Sequence, residues 1–155
     1  MDRAATSLIE EHVRHVLALM GFTDITVHCQ MIDEATMRVD VNAGEPGRLL
    51  IGAQGTHLAA FQHIVRCLLR KQMETPVRVV VDVNGYRQRR EKGLLDLAQG
   101  MARRAQQTGR TVVLQPMSAA DRRAIHTALA EQVNVTTESQ GEEPNRRVVV
   151  RPVFL

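Results

Sequence analysis

Two glycines separated by two residues, Gly52-Ala53-Gln54-Gly55, close the apolar run Leu49-Leu50-Ile51 and lead into a helical pattern at Thr56-His57-Leu58. With no Cβ at either end, such a loop lets a ligand come up against the main chain. The amides that follow open a helix, whose N-terminal end favours negative charge. The chemistry on offer is a clamp for a sugar-phosphate backbone. A second pair, Arg122 and His126, lies within Arg122-Arg123-Ala124-Ile125-His126, so both side chains share one face of a helix about a turn apart. Arg brings a permanent charge and a planar fork, and His can donate in either protonation state. Together they suit one phosphate or two adjacent ones. Each signal also has a plainer explanation: a tight helix-helix turn for the glycines, and a solvated Arg beside a half-buried His for the pair.

Other chemistries find less support. Gly47 and Gly52 have the gap of a nucleotide-triphosphate loop, but Ala53-Gln54 stand where Lys and Ser or Thr would hold the phosphates. His12 with His15, and His63 with Cys67, are helix-surface pairs with no partner set at zinc-like spacing. No nucleophile elbow or metal-hydrolase motif is present. The sequence therefore implies no catalytic residue, no metal and no cofactor.

The elements that must position these residues follow from periodicity. Ile9, Val13, Val16, Leu17 and Met20 form an apolar stripe of helical period over about Ala4 to Met20, with Ser7 and Glu10 as a capping box and Gly21 at the C-terminus. Asp24–Ile32 and Thr36–Val41 alternate as two strands around an Asp33-Glu34 turn, and Asn42–Pro46 is a loop. A helix over Thr56–Gln72 turns Leu58, Phe61, Ile64, Val65, Leu68 and Leu69 inward, and Val77–Val83 is a β-branched strand. Asn84-Gly85 marks a boundary. Beyond it come a helix over Tyr86–Thr108, burying Leu94, Leu97 or Ala98, Met101 and Ala105, and a short strand, Thr111–Leu114. A helix capped by Ser118 and Asp121 buries Ile125 and Leu129, and strands Val133–Glu138 and Arg146–Arg151 complete the chain. The expected fold class is α+β, in two small domains of 1–84 (α-β-β-α-β) and 85–155 (α-β-α-β-β), with helices over antiparallel sheets.

The 155 residues, 44% hydrophobic, allow packed cores for one or two domains. No apolar run reaches the ~20 residues that span a bilayer, and the N-terminus has no signal-peptide core. Cys29 and Cys67 are too few for a disulfide framework. These features imply a cytoplasmic protein without an integral membrane segment. Charge is asymmetric: residues 1–83 carry 8 Lys+Arg against 10 Asp+Glu, whereas residues 84–155 carry 12 against 7. Lys71 and Lys92 are the only lysines among the 20 basic residues. An Arg-rich C-terminal half fits nucleic acid or, more simply, a solvated surface. Arg87 and Arg90 start the long helix, and Arg147 and Arg151 share one side of the last strand, with Arg146 on the other. Each could extend a basic face. Tyr86 could stack on a base or pack at the domain joint.

The glycine loop resembles the clamp of K-homology (KH) domains, which grips about four nucleotides, and the C-terminal unit resembles an Arg-xxx-His (R-three-H) domain. Val79-Val80-Val81-Asp82-Val83-Asn84-Gly85-Tyr86-Arg87-Gln88-Arg89-Arg90, Leu114-Gln115-Pro116-Met117, and Thr137 to Arg147 are very similar to the bacterial Jag (KhpB) family. The resemblance covers nearly the whole chain. It implies a type II KH domain followed by an R-three-H domain, acting together on single-stranded RNA, or single-stranded DNA, as a chaperone or post-transcriptional regulator. It further implies a small KH partner (KhpA-like) or a homodimer, and roles in cell-envelope homeostasis and cell shape. The expected binding residues are Gly52, Ala53, Gln54 and Gly55 of the loop and Arg122 and His126 of the helix, with Arg87, Arg90, Arg147 and Arg151 as the basic residues that could extend them. Two departures stand out: Ala53-Gln54 replace basic residues common in that loop, and the extra N-terminal domain of many relatives is not seen. An alternative is a protein-interaction adaptor that uses the KH unit to dimerise.

Overall fold

The apolar stripes place two cores. A computed structural model describes residues 3–72 and 77–153, which divide into two compact units, Met1–Arg87 and Gln88–Leu155. In the first, α1 (Arg3–Leu19) buries Ile9, Val13 and Leu17 against a sheet of β1 (Thr26–Met31), β2 (Thr36–Asn42) and β3 (Arg78–Val83). Alternate residues Val27, Cys29, Met37, Val39, Val41, Val79, Val81 and Val83 line the inner face, as the period of two requires. Leu58, Phe61, Val65 and Leu69 of α3 (Thr56–Gln72) close the same core. Ile64, expected inward, is exposed. The helix extends from Arg3, so Ser7 lies inside α1 rather than at its cap. Its expected box partner, Glu10, instead accepts a hydrogen bond from the Cys29 amide at 2.7 Å.

The strand order is β1-β2-β3. β1 pairs antiparallel with β2, but β2 and β3 run parallel, in register from Thr36 opposite Arg78 to Val41 opposite Val83. This corrects the expectation of a purely antiparallel sheet. The segment between these strands contains two helices, which give the crossover that parallel neighbours need. The first of them, α2 (Gly47–Ile51), covers the run Leu49-Leu50-Ile51 and was not expected. Both edges of the sheet are occupied at their centres. Glu10 holds the Cys29 amide on β1. On β3, Gln62 Oε1 accepts from the Val81 amide at 3.0 Å, and Arg87 Nε donates to the Val81 carbonyl at 2.8 Å.

In the second unit, α4 (Tyr86–Thr108) contributes Leu94, Ala98, Ala102 and Ala105 to a core shared with Ile125 and Leu129 of α5 (Ala119–Leu129). Leu97 is exposed and Met101 only partly covered, because the alanine ridge takes the inner side. The sheet order is β4-β6-β5, all antiparallel: β4 (Val112–Val113), β5 (Val135–Gln140) and β6 (Arg147–Pro152). Ser118 Oγ caps α5 by accepting from the Asp121 amide at 3.2 Å. Asp121 does not reach back to close the box; its carboxylate takes Arg90 instead.

Candidate functional site

In the first unit the glycine loop joins α2 to α3 through a single 3₁₀ turn, Ala53–Gly55. Gly52, Gln54 and Gly55 all have positive φ, at 71°, 53° and 83°. Two of these left-handed positions are glycine; the third, Gln54, carries a side chain where L-residues meet a penalty. A Cβ on Gly52 would fall 2.5 Å from the His57 ring, and one on Gly55 would fall 2.9 Å from Tyr86 Cε1. The glycines are therefore required from within, by packing, as well as by any ligand without. His57 Nδ1 donates to the Leu49 carbonyl at 2.7 Å, which ties the end of α2 to the start of α3 beneath the loop. No spacing or motif singles out His57 in the sequence. Ala53 and Gln54 form the exposed tip, without charge.

Tyr86 packs against this first core and against Gly55, so the packing role is the one realised. Arg87 is also drawn inward. Its guanidinium reaches the Val81 carbonyl and Gln62 Oε1, at 2.8 and 2.7 Å, while its amide donates to buried Asp82 at 3.0 Å.

In the second unit α5 brings Arg122 and His126 to one face, but to different depths. Arg122 is buried, with its side chain 7% exposed, and its Nη1 donates to the Met117 carbonyl and to Glu143 Oε1, each at 2.8 Å. This Arg is a clasp between the start of α5 and the β5–β6 turn. It is not the open fork that the i, i+4 spacing suggested. His126 is half-buried, and hydroxyls of β5 hold both ring nitrogens: Thr137 Oγ1 at 2.7 Å from Nδ1 and Ser139 Oγ at 2.8 Å from Nε2. A hydroxyl can donate or accept, so this seat accommodates the neutral and the protonated ring alike. Thr137 and Ser139 are the residues that sequence reasoning missed. Their alternation in β5 was the available signal.

The surrounding arginines are dispersed. Arg90 Nη2 pairs with Asp121 at 2.7 Å. Thr137 and Ser139 stand opposite Val150 and Val148, on the side of the sheet that faces α5, whereas Arg151 and Arg147 stand opposite Thr136 and Gln140. Arg147 and Arg151 therefore lie on the other face from His126. This corrects the expectation that they extend its basic surface. Arg151 is paired there with Glu138 at 3.1 Å. Among the described residues, no group of three or more His, Cys, Asp or Glu is arranged to hold a metal ion.

Residues 92–152 match the family model of the R3H domain, which spans α5 with Arg122 and His126. The RNA-binding protein KhpB of Clostridium symbiosum is 38% identical over 117 residues, covering 76% of this chain and 52% of that protein. That of Bacillus subtilis is 32% identical over 135 residues, 86% of this chain and 63% of the relative. That of Streptococcus pneumoniae serotype 2 is 35% identical over 147 residues, 92% and 44%. The chain belongs to the KhpB family. It spans about half the length of the curated KhpB relatives it matches. The similarity to the S. pneumoniae protein covers 92% of this chain, a share too large for the R3H match alone. No described helix is long and apolar enough to cross a membrane.

Proposed function

We propose that the chain binds single-stranded RNA without catalysing a reaction on it. The observation that carries this reading is the seated His126, inside the R3H match of a chain whose relatives are named as RNA-binding proteins. A ring whose two nitrogens are both engaged by hydroxyls is fixed in orientation. With its two hydroxyl partners it makes a rigid polar seat for a passing strand; the exposed Arg123 stands on the same helix, its guanidinium without a partner among the described residues. The glycine loop is the second contact, offering backbone at Gly52–Gly55 instead of side-chain charge. With aromatics at 3% of the chain, affinity comes from the sugar-phosphate backbone more than from stacked bases.

The finer reading rests on family membership alone: a cytoplasmic RNA chaperone or post-transcriptional regulator that works with a small KH-domain protein or a second copy of itself, in support of the cell envelope and cell shape. The domain limits follow the same reading, with a KH-like unit over 1–84 and the R3H-like unit over 85–155. A second reading, an adaptor that dimerises through the KH unit, draws on Leu8, Leu19 and Met20, which α1 and the residue after it expose. The β3 edge is a poor route for it, since the Val81 backbone is already engaged.

The test is fluorescence anisotropy with labelled RNA and DNA strands of one sequence. His126→Ala should weaken RNA binding about tenfold, and Thr137→Val with Ser139→Ala should reproduce most of that loss by freeing the ring. Absence of retention of any single strand by the wild-type chain in dilute buffer would overturn the proposal.

A further inference from the structure

The arginines most easily read from sequence as phosphate contacts are largely engaged within their own units, which leaves the question of which cations are free. At the C-terminal end of α4 the chain turns at Gly109, with φ 63°, and enters the edge strand β4. Between them lies an open cavity of about 450 Å³, lined by Arg104, Thr108, Arg110, Thr111, Val112 and Val113. No carboxylate lines it. Among the described residues, the guanidinium groups of Arg104 and Arg110 have no ion-pair or hydrogen-bond partner, and both residues are exposed. The Thr108 hydroxyl is committed, donating to the Arg104 carbonyl at 2.8 Å; among the described residues the hydroxyl of Thr111 has no partner. Leu114 donates its amide to Val148 on β6. By the alternation of an antiparallel ladder, the amide of Val113 then points outward from the open edge.

Two unpaired guanidiniums, a hydroxyl and an edge-strand amide around a concavity without acidic groups form a donor set for an anion. Among the described residues lining it, what opposes an anion is the carbonyl end of α4. Its partial negative charge, about half an elementary charge, is outweighed by two full cations. We infer that this groove is a phosphodiester-binding site: a second anchor for the nucleic-acid strand, on the α4–β4 side of the second unit and separate from the His126 seat on α5 and β5. Arg104 and Arg110 grip successive phosphates there, with Thr111 and the Val113 amide completing the cradle. The inference rests on the single-strand-binding reading for its ligand, but the groove itself is defined by its own geometry.

Arg104→Gln with Arg110→Gln tests it in the full chain, with an unchanged thermal transition as the check on folding. Wild type and variant are titrated with a single-stranded RNA at several salt concentrations. The variant should bind roughly tenfold more weakly near 0.1 M salt, and its slope of log affinity against log salt should be shallower by about 1.4, at ~0.7 per phosphate released. Equal affinity and equal slope, with wild type binding well, would sink the groove and leave the RNA reading intact. If wild type holds no RNA, the RNA reading fails, and inorganic phosphate then decides the groove by NMR. Amide shifts at Thr111 and Val113 that vanish in the double variant support an anion site; no such shifts in wild type overturn it.

Discussion

At the scale of single residues, Arg122 and Cys29 make the sharpest contrast with what their types suggest. Burial of Arg is rare without partners, and here the partners are the Met117 carbonyl and Glu143. Arg122→Ala should lower the stability of the second unit by about 1–3 kcal/mol, because the Met117 carbonyl loses its donor. Chemical denaturation reads the change directly, so a loss of RNA affinity in that variant has to be judged after the folded fraction is known. Cys29 faces the opposite constraint. Burial, with Glu10 and Asp40 adding smaller contributions, pushes its thiol up from 9.0 to about 12. Below pH 9 the thiol is protonated in the folded and the unfolded chain, and its full contribution is present. Between pH 9 and 12 only the unfolded chain ionises, so stability falls as pH rises through that window. Cys29→Ala should flatten this alkaline loss in denaturant midpoints measured across the window. At neutral pH a thiol reagent should label exposed Cys67 promptly and reach Cys29 only on unfolding.

At the scale of elements, the glycine loop is held in its shape by its neighbours. Gly55→Ala should cost about 1–2 kcal/mol from the left-handed backbone, with a further loss because the new methyl meets the Tyr86 ring. Combining it with Tyr86→Ala should remove the second part and leave the first, a non-additivity visible in a thermal or denaturant double-mutant cycle. The same elements show where the sequence was legible. The stripe Ile9, Val13, Leu17 and the stripe Leu58, Phe61, Val65, Leu69 each run long enough for a period of 3.6 to show, and both helices stand where periodicity puts them. α2 has only five residues, too few for helix and strand patterns to differ, so Leu49-Leu50-Ile51 read only as an apolar run. The parallel pairing of β2 and β3 was hidden because it depends on a crossover and not on either strand's own residues. Arg122 and His126 were found by spacing, but their depths depend on Met117, Thr137, Ser139 and Glu143, contacts that no local window contains.

At the scale of the whole molecule, charge is the dominant fact. The excess of basic residues after position 83 makes affinity for a polyanion a matter of counterion release. If about five phosphates are neutralised, log affinity should fall against log salt with a slope of roughly −3 to −4 for a single strand. Anisotropy titrations over a range of salt measure it, and a slope near zero would mean that the strand is held by something other than its charge.

The plugged rims of the first sheet have a consequence for the chain in concentrated solution. A neighbouring copy that tries to add itself as one more strand finds the middle rung on either side already taken, by a carboxylate on one and by an amide and a guanidinium on the other. Ribbon-like growth through this sheet, of the kind that seeds fibrils, is thereby checked before it starts. Crowding should drive this unit toward contacts made by helices, which remain reversible.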